Sequence, residues 1–369
     1  MKRRGTTILD QLLLLGALVL ALFLILGILA GNTDPRTHIL IAFFGLAYPF
    51  ILLLNIGMLV VWLIRGRLFF AAVTVCVIIW GWHPLIATVG FTGEEGEGPK
   101  TNAAALRMMT YNVHSFKPYG EGNNDLVKHQ MLEVVKKEDP DIICFQEYYS
   151  RKKGAYAITD SIKQILKITG NYFVPTAENN YEAMGQAIFS RYPIVGKGTI
   201  AFGDENIGNS AIYIDVMAEG KKLRIYNVHL QSISFDKQDY NFLEKVTQKM
   251  DPEIVPAKRI LRMLKTAFIK RSAQVDMMKE HMQTCKTPFL IAGDFNDTPA
   301  SYAVTQLTKS LRNSFVEQGT GLGRTYNGKF PNFQIDYISG TRTLKIINHR
   351  IIRARLSDHF PIRSDISIN

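Results

Sequence analysis

The stretch Pro288-Phe289-Leu290-Ile291-Ala292-Gly293-Asp294-Phe295-Asn296 sets an apolar run directly before a glycine, a carboxylate and an amide. Such a run, bounded by turn-forming residues, predicts a buried strand over 288–294. Burying a polar group without a partner costs roughly 1–7 kcal/mol, depending on the reference state. The side chains of Asp294 and Asn296 therefore either cap nearby backbone, including a helix beginning near Pro299, or face a solvated functional cleft.

Polar side chains also follow other apolar strands predicted in the same part of the chain. With the stretch above they make six motifs: Thr110-Tyr111-Asn112-Val113-His114, Cys144-Phe145-Gln146-Glu147, Tyr226-Asn227-Val228-His229-Leu230, Gly293-Asp294-Phe295-Asn296, Gln334-Ile335-Asp336-Tyr337 and Ser357-Asp358-His359-Phe360-Pro361. A single carboxylate after a strand more often caps backbone than catalyses a reaction. Six such strand ends in one domain are hard to explain as unrelated caps, so we expect a shared site.

Hydrophobic periodicity predicts more strands than helices in this part of the chain. Strands are predicted at 106–113, 141–146, 186–190, 194–202, 210–218, 222–230, 288–294, 334–339, 346–353 and 361–367. Helices are predicted at 124–138, 157–169, 239–249, 256–284 and 300–309. Because helices often fall between pairs of strands, the order favours two sheets packed face to face with helices outside.

In this order the six motifs resemble those of the endonuclease/exonuclease/phosphatase superfamily. That superfamily includes deoxyribonucleases, abasic-site nucleases, inositol-polyphosphate phosphatases and neutral sphingomyelinases. The resemblance covers residues 106–369. It implies an α/β fold, a four-layer α-β-β-α sandwich of two packed mixed sheets, and a hydrolase that acts on phosphate esters.

The resemblance also implies a metal site. Glu147 is expected to be the principal ligand, with Asn112 and Asp358 beside it. The expected ion is Mg²⁺, with Mn²⁺ as an alternative, because Mg²⁺ prefers hard oxygen ligands and few protein groups. His114 lies outside the superfamily's motif set, so we expect it to be structural or at the rim of the site.

Five further residues receive roles from the resemblance. Asp294 orients or deprotonates the attacking water, and Asn296 donates to the phosphate. In an extended segment these two side chains would share one side of the strand. His359 is a base or phosphate ligand whose ring Asp336 holds, and His229 donates to a phosphoryl oxygen or assists the leaving group.

The segment between His229 and Asp294 is longer than a helical crossover requires. Residues 256–271 carry apolar side chains at helical spacing, with basic side chains, Arg271 among them, on the other side. An amphipathic helix packed on the domain explains this pattern. The alternative is a basic face directed at anionic lipid or substrate. Asp236-Lys237 matches an Asp-X-Lys element of the sphingomyelinase branch only in part, because the residue between Asp and Lys is missing.

Three apolar segments precede the domain, at about 8–30, 38–64 and 68–90. A spanning helix needs about 20 such residues. A cleavable signal peptide is the alternative for the first segment, but its apolar region would be only about 7–15 residues long. We therefore predict an all-α transmembrane region in 1–90, a linker over 91–105 and one catalytic domain over 106–369.

Basic residues flank the predicted spans on one side. Lys2, Arg3 and Arg4 precede the first span, and Arg65 and Arg67 separate the second from the third. Basic flanks are typical of the cytoplasmic side of a membrane. With three spans, the catalytic domain is then expected in an extracytoplasmic space, either periplasmic or extracellular.

These features together predict a membrane-anchored, Mg²⁺-dependent enzyme that hydrolyses a phosphodiester by metal-assisted attack of water. The net charge of +11 suits an anionic substrate or a membrane surface. The alternatives are a nuclease acting on extracytoplasmic DNA or RNA, a sphingomyelinase-like hydrolase of lipid headgroups, and an inactive, membrane-tethered binding module. The expected partners are the phosphodiester substrate and the lipid bilayer, and nothing in the sequence indicates an obligate protein partner.

Overall fold

A computed structural model describes residues 7–118, 122–203, 209–233, 254–328 and 333–368. Four apolar helices come first: α1 (Ile8–Ala30), α2 (Ile39–Ile64), α3 (Leu68–Trp80) and α4 (Trp82–Thr88). The later helices are α5 (Asn124–Glu138), α6 (Ile158–Leu166), α7 (Ile254–Thr284), α8 (Tyr302–Thr308) and α9 (Ser314–Gln318). The predicted helix at 239–249 and the Asp236-Lys237 pair lie outside the described residues.

The strands alternate with these helices along the chain. They are β1 (Val89–Gly90), β2 (Leu106–Asn112), β3 (Ile142–Arg151), β4 (Gly170–Glu178), β5 (Glu182–Ser190), β6 (Ile194–Ala201), β7 (Ser210–Ala218), β8 (Lys221–His229), β9 (Phe289–Asp294), β10 (Arg312–Asn313), β11 (Gly321–Leu322), β12 (Asp336–Gly340), β13 (Lys345–Ile346), β14 (Arg350–Ile351) and β15 (Ile362–Ser367). The strand predicted at 346–353 is present only as the short β13 and β14. Strand β4 is an edge strand that the sequence patterns missed.

Two mixed sheets carry the polar motifs. One has the strand order β10-β12-β9-β8-β7-β6, and the other has β13-β15-β2-β3-β5-β4, with β14 beside β15. Each sheet contains one parallel pair, β8 with β9 and β2 with β3. In these pairs His229 lies opposite Asp294, and Asn112 lies opposite Gln146. Because parallel strands end at the same edge of a sheet, the motifs meet at one end of the molecule.

The sheets pack face to face. Their inner faces form one apolar core that includes Met108, Ile188, Ile225 and Leu290. A second core lies under α5 and α6 on one outer face, and a third lies under α7 and α8 on the other. The expected α/β fold of mixed sheets with helices is therefore confirmed, with the layers in the order helix, sheet, sheet, helix.

Two N-terminal helices, α1 and α2, are long and apolar enough to cross a membrane. The third predicted span, 68–90, is not one straight helix, because α3 and α4 are bent by 74° at Gly81. At about 1.5 Å per residue, α3 alone extends only about 20 Å, short of a bilayer core of about 30 Å. A third crossing would therefore need α3 and α4 together. After α4 the chain turns onto the domain, where β1 pairs with β11.

The loop between α1 and α2 and the first turns of α2 lie directly on the domain. The Thr298 hydroxyl donates to the Gly45 carbonyl over 3.2 Å, and the Gln306 amide donates to the Gly31 carbonyl over 2.9 Å. A Cβ at position 45 would lie 2.6 Å from the Cβ of Ala30, so the close approach requires glycine there. The helices and the domain are thus packed together and do not merely follow one another in sequence.

The segment 91–105, expected to be a linker, is also attached to the domain. The Glu94 carbonyl accepts a hydrogen bond from the backbone of His349 over 2.9 Å, and Arg107 donates to the Gly98 carbonyl over 3.0 Å. Arg350 forms a 2.7 Å ion pair with Glu97. Three residues of the predicted linker, Glu94, Glu97 and Gly98, are therefore held by partners in the domain.

Helix α7 contains the predicted basic, amphipathic segment. Ile260, Leu264 and Phe268 are buried, and they pack with Ala42 of α2. The apolar face therefore covers the first turns of α2, as an amphipathic helix packed on its own protein does. Arg271, expected on the polar face, is instead buried and paired with Asp297 over 2.9 Å. A basic face directed at anionic lipid stays a prediction.

Candidate active site

A cleft of about 300 Å³ lies at the edge where the motif strands end. Eight residues were expected in the site from sequence, and six of them line the cleft directly: Glu147, His229, Asp294, Asn296, Asp358 and His359. Asn112 and Asp336 lie just behind its wall, each hydrogen-bonded or paired to a lining residue. The cleft is also lined by Leu46 of α2, so an apolar N-terminal helix supplies part of its wall.

Asp294 lies at the centre of the cleft. Its Oδ1 accepts the backbone N–H of Asn296 over 2.9 Å, and its Oδ2 accepts the side-chain amide of Asn112 over 3.1 Å. Burial raises the pKa of the Asp294 carboxyl; the His359 cation opposes that shift, and the charge of Asp336 adds to it. A buried carboxyl with a raised pKa accepts a proton more readily than an exposed one does.

His359 is held between two carboxylates. Its Nδ1 lies 3.0 Å from Oδ2 of Asp336, and its Nε2 lies 3.6 Å from Oδ2 of Asp294. Burial lowers the pKa of the imidazole, but Asp336 and Asp294 outweigh it and raise the pKa well above its usual value. His359 is therefore expected to be a cation at neutral pH, with Asp336 fixing the ring.

His229 approaches Asp294 from the strand next to it. Its Nε2 lies 3.7 Å from Oδ2 of Asp294. The ring is buried, and this nitrogen has no hydrogen-bond partner among the described residues. A buried, unpartnered nitrogen is costly unless it serves a ligand or a reaction. His229 is thus positioned to bind a group that enters the cleft.

Glu147 reaches the cleft because the strand that carries it is irregular. The register between β3 and β5 shifts between Phe145 and Tyr148, and Glu147 has a φ of 50°. A bulge of this kind re-aims a side chain. Burial alone would raise the pKa of the Glu147 carboxyl, but the hydrogen bond from His114 and the nearby histidines lower it to about 2. The carboxylate is therefore ionised at all ordinary pH values.

His114 belongs to the cleft, although the sequence placed it as structural or at the rim. Its Nδ1 lies 3.5 Å from Glu147 and 3.9 Å from Asp358. The hydrogen bond to Glu147 raises the pKa of the imidazole, burial opposes this, and Asp358 adds to it. The only sequence signal was its position two residues after Asn112, on a turn with φ values of 43°, 58° and 57° at residues 114–116.

Asn296 lines the cleft in a different way from the one expected. Strand β9 ends at Asp294, and Asn296 has a φ of 53°, so the two side chains are not on one extended segment. The Asn296 amide donates to the carbonyl of Leu230 over 3.0 Å. The expectation of a shared strand face is wrong, because the backbone turns between these residues.

Two buried amides hold the sheets together beneath the cleft. Gln146 donates to the side-chain oxygen of Asn227 over 2.6 Å and to Thr110 over 3.0 Å. Asn227 in turn donates to the carbonyls of Phe145 and Ala187, across the gap between the sheets. These bonds fix β3 against β8, and so fix Glu147 relative to His229.

Arg271 and Asp297 form a buried ion pair that also lines the cleft. Arg271 Nη1 donates to the Gln231 carbonyl over 2.9 Å, which ties α7 to the chain that follows β8. Burial raises the pKa of the Asp297 carboxyl, and the Arg271 cation opposes that shift. No sequence signal separated Arg271 from the other basic residues of its helix.

Two groups of side chains at the cleft offer donor atoms to a divalent metal. Asp294, Asp336 and His359 place ligand atoms within 4.8 Å of one another. However, in this group the His359 imidazole is already paired with both carboxylates. Glu147 and Asp358 offer hard oxygen atoms, as Mg²⁺ prefers. The histidine near both of them, His114, is much more exposed than His359. The expected ligands therefore fit the ion, with the amide of Asn112 beside them.

Comparisons with known proteins agree with this architecture. Residues 109–247 match the model of the Endonuclease/Exonuclease/phosphatase family, and residues 10–88 match one described as Domain of unknown function (DUF8431). No curated protein matches the chain.

Two solved structures have a similar fold. An endonuclease/exonuclease/phosphatase family protein from Leptotrichia buccalis C-1013-b is 15% identical, with a TM-score of 0.50, over 71% of this chain and 99% of its own. A D. rerio TDP2 humanized by 14 mutations is 15% identical, with a TM-score of 0.50, over 72% and 99%. Residues 109–247, which follow the apolar N-terminal helices, are thus similar in sequence to the Endonuclease/Exonuclease/phosphatase family, and the fold is similar to that of these two structures.

Proposed function

We propose that this protein is a membrane-anchored, Mg²⁺-dependent hydrolase of phosphodiesters that acts by attack of water. The observation that carries the proposal is the meeting of His229 and His359 at one carboxylate oxygen of Asp294, with distances of 3.7 and 3.6 Å. Glu147 and Asp358 add oxygen donors to the same cleft. A base beside two imidazole donors is what hydrolysis of a charged ester requires.

Asp294 is the group that we assign to the attacking water. Its carboxylate is held from two sides, by Asn112 and by the backbone of Asn296, so its orientation is fixed before a substrate binds. The water oxygen forms a bond to phosphorus while Asp294 accepts the proton. The bond from phosphorus to the leaving oxygen breaks, and that oxygen takes up a proton from a cleft donor or from solvent.

His359 and His229 are assigned to the phosphoryl oxygens. Because Nδ1 of His359 is bound to Asp336, its Nε2 carries the proton that is directed into the cleft. The unpartnered Nε2 of His229 provides a second donor or assists the leaving oxygen. A Mg²⁺ ion bound by Glu147, with Asp358 and Asn112 beside it, would polarise a phosphoryl oxygen and stabilise the developing negative charge.

We expect the full-length protein in detergent to hydrolyse phosphodiesters with Mg²⁺ and to lose this activity in EDTA. A panel of bis(p-nitrophenyl) phosphate, p-nitrophenyl phosphate, duplex DNA, RNA and phospholipid vesicles would separate diesterase from monoesterase and nuclease from lipid hydrolase. Adding Mg²⁺ back should restore the rate. Absence of hydrolysis across the panel would favour the inactive binding module, and activity that survives EDTA would refute the metal requirement.

We further propose that the N-terminus is cytoplasmic and the domain extracytoplasmic. At one end of the helices, Asp10 pairs with Arg65 over 2.8 Å and also pairs with Arg67. The domain contacts the opposite end, through Gly31 and Gly45. The basic end and the domain are therefore at opposite ends of α1 and α2, which supports opposite sides of a membrane.

A cysteine at position 153 is expected to react with a membrane-impermeant maleimide on intact spheroplasts. Lys153 is exposed on the domain, so Lys153→Cys places an accessible thiol there. The matched variant Lys2→Cys should react only after the membrane is broken. The unmodified protein, with its three cysteines, measures the background. Labelling of Lys2→Cys alone on intact spheroplasts would reverse the proposed orientation.

A further inference from the structure

A second cavity, of about 710 Å³, lies between α2 and the domain. Phe50, Leu53 and Ile56 line it from the helix, and Val89 and Leu322 line it from the small β1–β11 sheet. Leu53 is 66% exposed, so this groove is open along the side of the helix. If α2 crosses a membrane, that side faces hydrocarbon, and the groove is accessible to a lipid chain.

The groove lies next to the catalytic cleft. Phe333 lines both cavities, and its ring lies edge-on to that of Phe50, with 5.9 Å between the ring centres. Leu46, one helical turn before Phe50, lines the cleft. A molecule that lies along α2 would therefore have one part in the groove and another in the cleft, on either side of the two aromatic rings.

Cationic side chains lie at the domain side of the groove. Arg324 and Arg353 line it, and neither is paired with a carboxylate among the described residues. Burial lowers the pKa of Arg324, and the neighbouring cations of Arg353 and Arg355 lower it further. Like charges placed together without a counterion favour an anionic ligand. The groove thus combines an apolar wall with two cationic side chains, Arg324 and Arg353, that can bind a negatively charged group.

We propose that this groove binds the hydrocarbon chain of an anionic, membrane-resident phosphodiester, whose phosphate enters the cleft past Phe333. The inference rests on the proposed hydrolase activity and adds the class of substrate, a phospholipid-like amphiphile. A polynucleotide has no hydrocarbon chain to fill an apolar groove, whereas a lipid offers both a chain and a charge. The substrate would diffuse laterally from the bilayer into the groove, along the exposed face of α2 that contains Leu53.

Two chromogenic diesters, ethyl and octyl p-nitrophenyl phosphate, test the proposal with the full-length protein in detergent and Mg²⁺. Each methylene that becomes fully buried should improve binding about four-fold. Six additional methylenes, only partly buried in an open groove, should then lower KM at least about ten-fold for the octyl ester. The kcat values of the two esters should be similar, because their reacting groups are the same.

Leu53→Trp is expected to fill the groove and to remove the preference for the octyl ester, with little effect on the ethyl ester. Leu54→Trp is the matched control, since Leu54 is also 55% exposed on α2 but does not line the groove. Partition of the octyl ester into detergent micelles affects both variants equally. Leu322→Trp blocks the groove from the domain side and should reproduce the effect of Leu53→Trp.

Three results would overturn the proposal. Equal KM values for the two esters in the unmodified protein would show that the groove does not bind the hydrocarbon chain. That result would not contradict the proposed hydrolase activity. A preference for octyl that survives both Leu53→Trp and Leu322→Trp would place the chain elsewhere. Failure to hydrolyse either ester, together with failure on the wider substrate panel, would instead refute the proposed function itself.

Discussion

Replacing Glu147 by glutamine is expected to lower kcat by roughly a thousand-fold, which corresponds to about 4 kcal/mol of lost transition-state stabilisation. The substitution keeps the size of the side chain and removes its charge. The bulge at Phe145–Tyr148 directs this side chain into the cleft, and its low pKa keeps it ionised. Glutamine at this position would still hydrogen-bond to Asn112, so we expect the fold to persist.

The Glu147 prediction has a readout that does not depend on turnover. Titration calorimetry of the full-length protein should show weaker Mg²⁺ binding for Glu147→Gln than for the unmodified chain. Glu178→Gln is the matched control, because Glu178 is exposed at the end of β4, away from the residues that line the cleft. Unchanged Mg²⁺ affinity and unchanged phosphodiesterase activity in Glu147→Gln would show that the metal ligand has been misassigned.

Replacing Asp336 by asparagine is expected to lower kcat by roughly 10²- to 10⁴-fold, as removal of a ring-orienting carboxylate does in other hydrolases. It should also change the pH dependence. Asp336 and Asp294 together keep the His359 imidazolium protonated to high pH, against the effect of burial. Without Asp336 the pKa of His359 falls, so the proton that His359 donates is lost at a lower pH.

The fall in the pKa of His359 predicts the direction in which the pH profile moves. The alkaline limb of kcat/KM should move to lower pH in Asp336→Asn, and activity should recover partly as the pH is lowered. Asp160→Asn, a change at an exposed carboxylate of α6, should leave the profile unaltered. A profile for Asp336→Asn that superimposes on that of the unmodified protein would mean that His359 is not the group that titrates.

The strand ends were predictable from sequence because a polar residue follows each short apolar run. Burying that polar side chain within the strand without a partner would be costly. That pattern is local, and it located Asn112, Asp294 and His359 correctly at the ends of β2 and β9 and shortly before β15. The edge strand β4 was not predicted because its residues are half-buried from Gly170 to Thr176 and include Pro175, so they show no alternation.

Features that depend on distant residues were not predictable in the same way. The bend at Gly81 follows from the turn of the chain onto the domain, where β1 pairs with β11, and an apolar run carries no sign of it. His114 and Arg271 acquire their positions from a left-handed turn and from a partner in another element, Asp297. From sequence, His114 was expected to be structural or at the rim of the site, and Arg271 was expected on the basic side of an amphipathic helix.

The contact at Gly45 means that the apolar N-terminal helices and the domain with the polar motifs are not separable parts of this chain. A protein cut after residue 90 would lose Leu46 from the wall of the cleft. It would also expose Ile260, Leu264 and Phe268, which now lie against α2. The smallest piece that retains the complete wall of the cleft is therefore one that keeps the first two helices, although the first polar motif begins at Thr110, more than forty residues after α2 ends.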